Sequence, residues 1–150
     1  MLLKQINILL ADDDTDDCMF FKEALKELLL PTDLTAVHDG EQLMQLLTNE
    51  TTELPHVLFL DLNMPRKNGF ECLSEIKNNK KLNGLPVVIF STSFDNEVVN
   101  RLHKSGALYF IKKPSHFSHF KSLIQQSLTL IAQTMTEPTT RADFVLKVQN

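Results

Sequence analysis

Short apolar runs that alternate with amphipathic stretches, five times over, predict an α/β fold: an open, doubly wound (βα)5 domain with helices on both faces of a five-stranded parallel sheet. Three observations carry this reading. The apolar runs at residues 6–11, 34–37, 57–60, 87–90 and 107–111 lack polar alternation, as strands covered on both faces do. The segments between them place apolar residues at helical spacing. The chain of 150 residues holds five such units and is far too short for a closed eight-fold barrel.

The elements follow in order. After the first run, Phe20, Phe21, Ala24, Leu25, Leu28 and Leu29 mark a helix that Pro31 stops. Leu43, Leu46 and Leu47 mark the second helix, and Phe70, Leu73 and Ile76 the third. Val98 and Leu102 mark the fourth, with Gly106 as its C-terminal cap. Phe117, Phe120, Ile124, Leu128 and Ile131 mark the last, which carries Leu123 and Leu130 beside that stripe. Apolar residues on more than one side of this helix suggest a face that docks a partner or a second copy of the chain. Beyond residue 134 the composition turns to Thr, Glu and Pro, and Pro138 ends any preceding helix. Residues 4–134 are therefore taken as the domain and 135–150 as a tail or a short packed appendage. Phe144, Val145 and Leu146 favour packing, since solvated tails rarely carry three large apolar residues together.

Composition narrows the function. Apolar residues make up 43% and charged residues 23%, an ordinary globular balance. Lys plus Arg number 15 against 19 Asp plus Glu, a formal charge of −4 that gives no electrostatic footprint for nucleic acid or an anionic membrane. Cys18 and Cys72 form no CxxC pair and are too few for a disulfide framework. The first apolar run is too short for a signal peptide and meets an aspartate cluster, so a cytoplasmic, soluble protein is expected.

In open parallel sheets ligands bind beyond the carboxyl ends of the strands. The first strand ends at Asp12-Asp13-Asp14, the third at Asp61, the fourth at Ser91-Thr92 and the fifth at Lys112-Lys113-Pro114; only the second contributes nothing. Carboxylates brought together repel, so they hold a proton or recruit a cation, and oxygen-only ligands suit Mg²⁺. A lysine and a hydroxyl beside them can hold an anionic group. Such a set meets the needs of phosphoryl transfer, with a carboxylate as the nucleophile.

With these residues in view, the chain resembles the receiver domain of two-component response regulators over roughly residues 4–130. The matching motifs are Asp12-Asp13, Asp61-Leu62-Asn63-Met64-Pro65 followed by Gly69, Ser91, and Lys113-Pro114. The resemblance implies strand order 2-1-3-4-5, which the general description of this fold already gives for the family. It implies that Asp61 is the phosphoacceptor and that Asp13 and Asp61 ligate Mg²⁺, with the Asn63 backbone carbonyl and, through water, Asp12. Lys113 would pair with the phosphoryl group across a cis Lys113–Pro114 bond. Ser91 would be the switch hydroxyl and Phe110 the switch aromatic. The implied partners are a histidine kinase or phosphotransfer protein and a downstream protein target, with the surface made by the fourth and fifth strands and helices changing on phosphorylation.

Some positions depart from the common pattern of that family. Phe110 stands where Tyr is frequent, so packing must replace a phenol's hydrogen bond. Thr92 stands where Ala is usual and would narrow water access to the acyl phosphate. Asp14, Asp16 and Asp17 add charge that favours a helix start. Asp12, Asp14, Asp16 and Glu23 also match positions of an EF-hand loop, but Asp17 replaces the required Gly and the loop follows a strand. The enzyme alternative is an aspartate-nucleophile phosphatase, against which Asp16 stands where that pattern has Thr. A receiver-like adaptor that takes no phosphate is the third reading. His116 and His119 form a polar helix start without a third metal ligand. With no basic output module in the remaining chain, the expected role is stand-alone signalling without steady turnover.

Overall fold

The computed structural model describes residues 5–134 and 138–148. Strand β1 (Ile6–Ala11) lies between β2 (Thr32–Val37) and β3 (Val57–Leu60), and β4 (Val87–Ser91) and β5 (Tyr109–Lys112) continue beyond β3. All neighbours are parallel and the order is β2-β1-β3-β4-β5. Helices α1 (Thr15–Lys26), α2 (Gly40–Thr48), α3 (Gly69–Lys77), α4 (Asn96–Lys104) and α5 (Phe117–Thr134) follow the strands in turn. A one-turn helix, α6 (Arg141–Phe144), lies in the C-terminal segment.

The two-residue period of each strand divides the core into two layers. Leu9, Ala11, Leu58, Leu60, Val87, Ile89 and Phe110 face α2, α3 and α4. Ile8, Leu10, Val57, Phe59, Val88, Phe90 and Ile111 face α1 and α5. In the second layer Phe21 of α1 meets Phe59, Phe90 and Phe120 edge-on, at centroid distances of 4.9, 6.0 and 6.0 Å. The three central strands are buried on both faces, which explains the lack of polar alternation in their runs, whereas the edge strand β2 leaves Asp33, Thr35 and Ala36 exposed and is not covered on both faces.

Side-chain caps set the helix starts. Asp14 accepts from the Asp16 and Asp17 amides, Asp39 from Gln42, and Asp95 from Glu97 and Val98. Asn68 and Glu71 form a reciprocal capping box on α3. Gly106, at φ 98°, ends α4, with the Ala107 amide reaching back to the Leu102 carbonyl.

Three expectations change. Helix α1 ends at Lys26, not at Pro31: Leu28 turns into the core while Leu29 is 97% exposed, because a tighter turn from Leu28 to the Leu25 carbonyl redirects the chain. Strand β5 begins at Tyr109, leaving Ala107 and Leu108 in the turn that follows α4. The extra apolar side of α5 is not a free surface, since Leu123 is buried in the layer shared with α1 and Leu130 packs against it.

Helix α5 ends at Thr134. The stretch 135–137, where the sequence turns polar, lies outside the described residues, as do 1–4 and 149–150. Residues 138–148 pack along β5: Phe144 is fully buried and Leu146 nearly so. Among the described residues no helix is long and apolar enough to cross a membrane.

Candidate functional site

The carboxyl ends of β1, β3, β4 and β5 converge on one acidic pocket. Asp12 follows β1 and is fully buried, Asp61 follows β3 and is 5% exposed, and Asp13 lies at the mouth. Carboxylate oxygens of Asp12, Asp13 and Asp61 lie within 4.8 Å of one another. Lys113, just past β5, reaches into this group: its Nζ lies 2.8 Å from Asp12 Oδ2, 2.7 Å from Asp17 Oδ2 and 3.7 Å from Asp61 Oδ2.

Local folding places each group. The Asp12 amide bonds the Val37 carbonyl and the Asp61 amide the Ala11 carbonyl, so the sheet ladder carries on into the site. The Asp14 amide donates to Asp12 Oδ1, and the Asn63 amide donates to the Asp61 carboxylate. A Cβ on Gly69 would stand 2.3 Å from the Asp61 carbonyl oxygen, so only glycine lets α3 start against this loop. Ser91 is fully buried at the end of β4; its Oγ accepts from the Ser93 amide and its carbonyl from the Lys113 amide. Thr92 and Asn63 are exposed beside the pocket. Phe110 lies fully buried in the layer under α4.

The electrostatics follow from crowding. Burial and the Asp12 charge push Asp61 up to about 7, against the lowering pull of Lys113 and the Asn63 amide. Burial likewise raises Asp12, although Lys113 opposes it. Desolvation works against the charge on Lys113, but hydrogen bonds to Asp12 and Asp17 and the charge of Asp61 outweigh it, holding the ammonium above its usual range. Three carboxylates, Asp12, Asp17 and Asp61, therefore meet one lysine, and Asp13 stands beside two of them at the mouth. Their hard oxygen donors, with no His or Cys among them, fit a small divalent cation. Cys18 and Cys72, each pushed up to about 11 by burial, stay protonated thiols outside this chemistry.

This balance has a measurable consequence. A raised folded-state pKa means that the folded protein keeps a proton on Asp61 that the unfolded chain loses above 3.8. The stability from that proton is full below this value and is lost as pH rises toward about 7. Asp12 acts in the same direction. Thermal melts in chelator should therefore show a falling midpoint from pH 5 to pH 8, and a saturating divalent cation should flatten the slope. A midpoint that climbs through this interval without metal would contradict the buried, crowded state of Asp61.

The structure brings together Asp12, Asp13, Asp61 and Lys113, joins Ser91 to them through its carbonyl and the Lys113 amide, and adds two residues. Asp14 caps α1, as the helix-start reading holds, but Asp17 turns instead to Lys113. Its position one helical turn after Asp13 was the available signal. The end of β2 also takes part: His38 Nδ1 lies 3.1 Å from the Asp12 carbonyl and braces the acidic loop. The Lys113–Pro114 bond is trans, since no described peptide bond is cis; trans is the form an X–Pro bond favours by about 0.5–1 kcal/mol. An EF-hand is excluded because Ile6–Ala11 is a central strand and Asp14 is used as a cap. His116 and His119 meet edge-to-face at 5.3 Å where α5 begins, and the described residues place no third ligand beside them.

A doubly wound sheet with an aspartate pair after β1, an aspartate after β3, a buried hydroxyl after β4 and a lysine after β5 defines a signalling receiver module. Residues 8–125 match the family model described as "Response regulator receiver domain", and the chain belongs to that family. It is 30% identical over 135 residues to the response regulator Rcp1 of Synechocystis sp., covering 87% of this chain and 92% of that protein. It is 28% identical over 125 residues to the probable chemotaxis protein CheY of Rhizobium etli, covering 83% and 93%. Among solved structures, the phosphorylated cyanobacterial phytochrome response regulator RcpA superposes with a TM-score of 0.81 at 28% identity, over 91% of this chain and all (100%) of that one. The Mn²⁺-bound form of Rcp1 gives a TM-score of 0.73 at 29% identity, over 90% and 97%.

Proposed function

We propose that this chain is a stand-alone response regulator that accepts a phosphoryl group on Asp61 from a histidine kinase or phosphotransfer protein and signals through contact with a downstream protein. The observation that carries this reading is the placement of Asp61 in a buried carboxylate group with Lys113 Nζ 3.7 Å away. Mg²⁺ is the proposed metal, held by Asp13, Asp61 and the Asn63 carbonyl, with Asp12 acting through water. When bound it supplies positive charge that keeps Asp61 ionised and orients phosphoryl oxygens. In this reading residues 4–134 form the receiver module, 135–150 the appendage, and the setting is cytoplasmic.

The chain's own residues do the rest. An Asp61 oxygen attacks phosphorus in line; the new O–P bond forms as the P–N bond to the donor imidazole breaks, and the imidazole leaves with its electron pair and takes a proton. Lys113 shifts its hydrogen bonds from the carboxylates to a phosphoryl oxygen. Ser91, whose hydroxyl hydrogen is free of the Ser93 contact, donates to another. Thr92 stands on the solvent side and limits the approach of water. Phe110 follows Ser91 by packing alone, having no hydroxyl. Each transfer is a single self-modification and not steady turnover. The phosphatase alternative is disfavoured because Asp16 stands where its pattern has Thr, and Asp14 is engaged as the α1 cap with the Asp16 and Asp17 amides.

Incubation with a small acyl-phosphate donor and Mg²⁺ should add one phosphoryl group, which peptide mass spectrometry after borohydride trapping assigns to Asp61. Chelation of the metal should remove the label. Continuous release of phosphate from simple esters would favour the phosphatase instead.

A further inference from the structure

The C-terminal segment straddles the outer edge of the sheet. Phe144 enters the layer under α4, where its ring lies 6.4 Å from Phe110 and 5.1 Å from His103. Leu146, two residues on, enters the opposite layer with Ile111, Leu123 and Ile124. Between them Val145 bridges Phe110 in parallel fashion, and the Leu146 amide donates to the Phe110 carbonyl at 2.9 Å. The ends are tied as well. Thr139 Oγ1 donates to the Leu108 carbonyl at 2.6 Å, the Thr139 carbonyl meets His103 Nε2, and Arg141 donates to Asn100 of α4. An edge strand that would otherwise offer unpaired backbone is thereby covered by the chain itself.

The cover is partial. A groove of ≈ 610 Å³, lined by Gln126, Leu130, Thr139 and Asp143 among others, runs between the segment and α5. Apart from Leu146 and Val148, which pack against the α1 and α5 layer, the segment is held through contacts with α4 and with Phe110 and Leu108. Phe94 touches the other side of Phe110, at 5.9 Å. A rearrangement of the Phe110 ring would alter its contact with Phe144.

We propose that residues 139–148 are a latch: an intramolecular occupant that closes the β5 edge in the unphosphorylated protein and is released when Phe110 rearranges. The release step rests on the function proposed above. The latch is a two-state element biased from two places, the phosphoryl site through Ser91 and Phe110, and the tail through Phe144. Linkage then requires reciprocity: the factor by which phosphorylation favours latch opening is the factor by which full opening of the latch strengthens phosphoryl-site affinity.

The test uses the full chain and beryllofluoride with Mg²⁺ as the phosphoryl mimic. Binding is read by ¹⁹F NMR and latch opening by hydrogen exchange at the Leu146 amide. Mimic binding should speed that exchange by about fivefold or more. Phe144→Ala should tighten beryllofluoride binding by a similar factor, and Arg141→Ala, which leaves the core intact, should move it the same way by less. A mimic that binds while Leu146 exchange and the affinity of both variants stay unchanged overturns the latch and leaves the receiver function standing. A wild-type chain that shows no ¹⁹F signal of bound mimic overturns both.

Discussion

Asp61→Asn is expected to reduce phosphoryl labelling to background while leaving a folded protein. The amide keeps the shape and burial of the side chain but has no anionic oxygen to attack phosphorus. Asp12 is fully buried and engaged with Lys113, and Asp13 lies at the exposed mouth. The same change removes one member of a group of carboxylates whose mutual repulsion and burial hold Asp61 up at about 7. The variant should therefore melt at higher temperature than the wild type in chelator at pH 8 and should lose much of the falling slope with pH. Loss of labelling together with this gain in stability separates chemistry from misfolding. Labelling that survives, at whatever residue, would remove Asp61 from the role.

Phe21→Ala is expected to cost about 3–5 kcal/mol of stability, the range for emptying a large aromatic site in a core. Phe21 has no exposed surface and is the hub of the second layer, meeting Phe59 from β3, Phe90 from β4 and Phe120 from α5. Three rings from three elements cannot all close into the vacated space. Against a total of about 5–15 kcal/mol for a domain this is a large share, and a urea titration would show a lower midpoint with little change in slope. Leu29→Ala provides the contrast. In the sequence both residues belong to one apolar stripe, yet Leu29 is 97% exposed and its loss should fall within about 0.5 kcal/mol. Equal losses at the two positions would contradict the packing described.

The residues that were legible in the sequence share one property: their meaning is local. The runs at 6–11 and 57–60 coincide with β1 and β3, short and largely apolar stretches that end at the polar residues Asp12 and Asp61. Gly106 is legible as a cap because a left-handed turn is a single-residue demand. The positions of Asp12, Asp13, Asp61, Ser91 and Lys113 at strand ends follow from that same strand reading. Leu28 and Leu29 look alike in the sequence, and only the turn after Lys26 separates them. Leu123 reads as surplus apolar surface until α1 is laid against α5.

The amino-acid order by itself determined the alternation of strands and helices, the two buried faces and the set of residues gathered at the strand ends. These depend on period, capping and chain direction, which act over a few residues. Tertiary structure alone decided that Asp17 turns to Lys113, that His38 braces Asp12 and that Phe144 and Leu146 close opposite sides of β5. Each of these is settled by partners far away in the chain. A charge or an aromatic ring has many favourable partners in solution, and only the packed sheet selects among them.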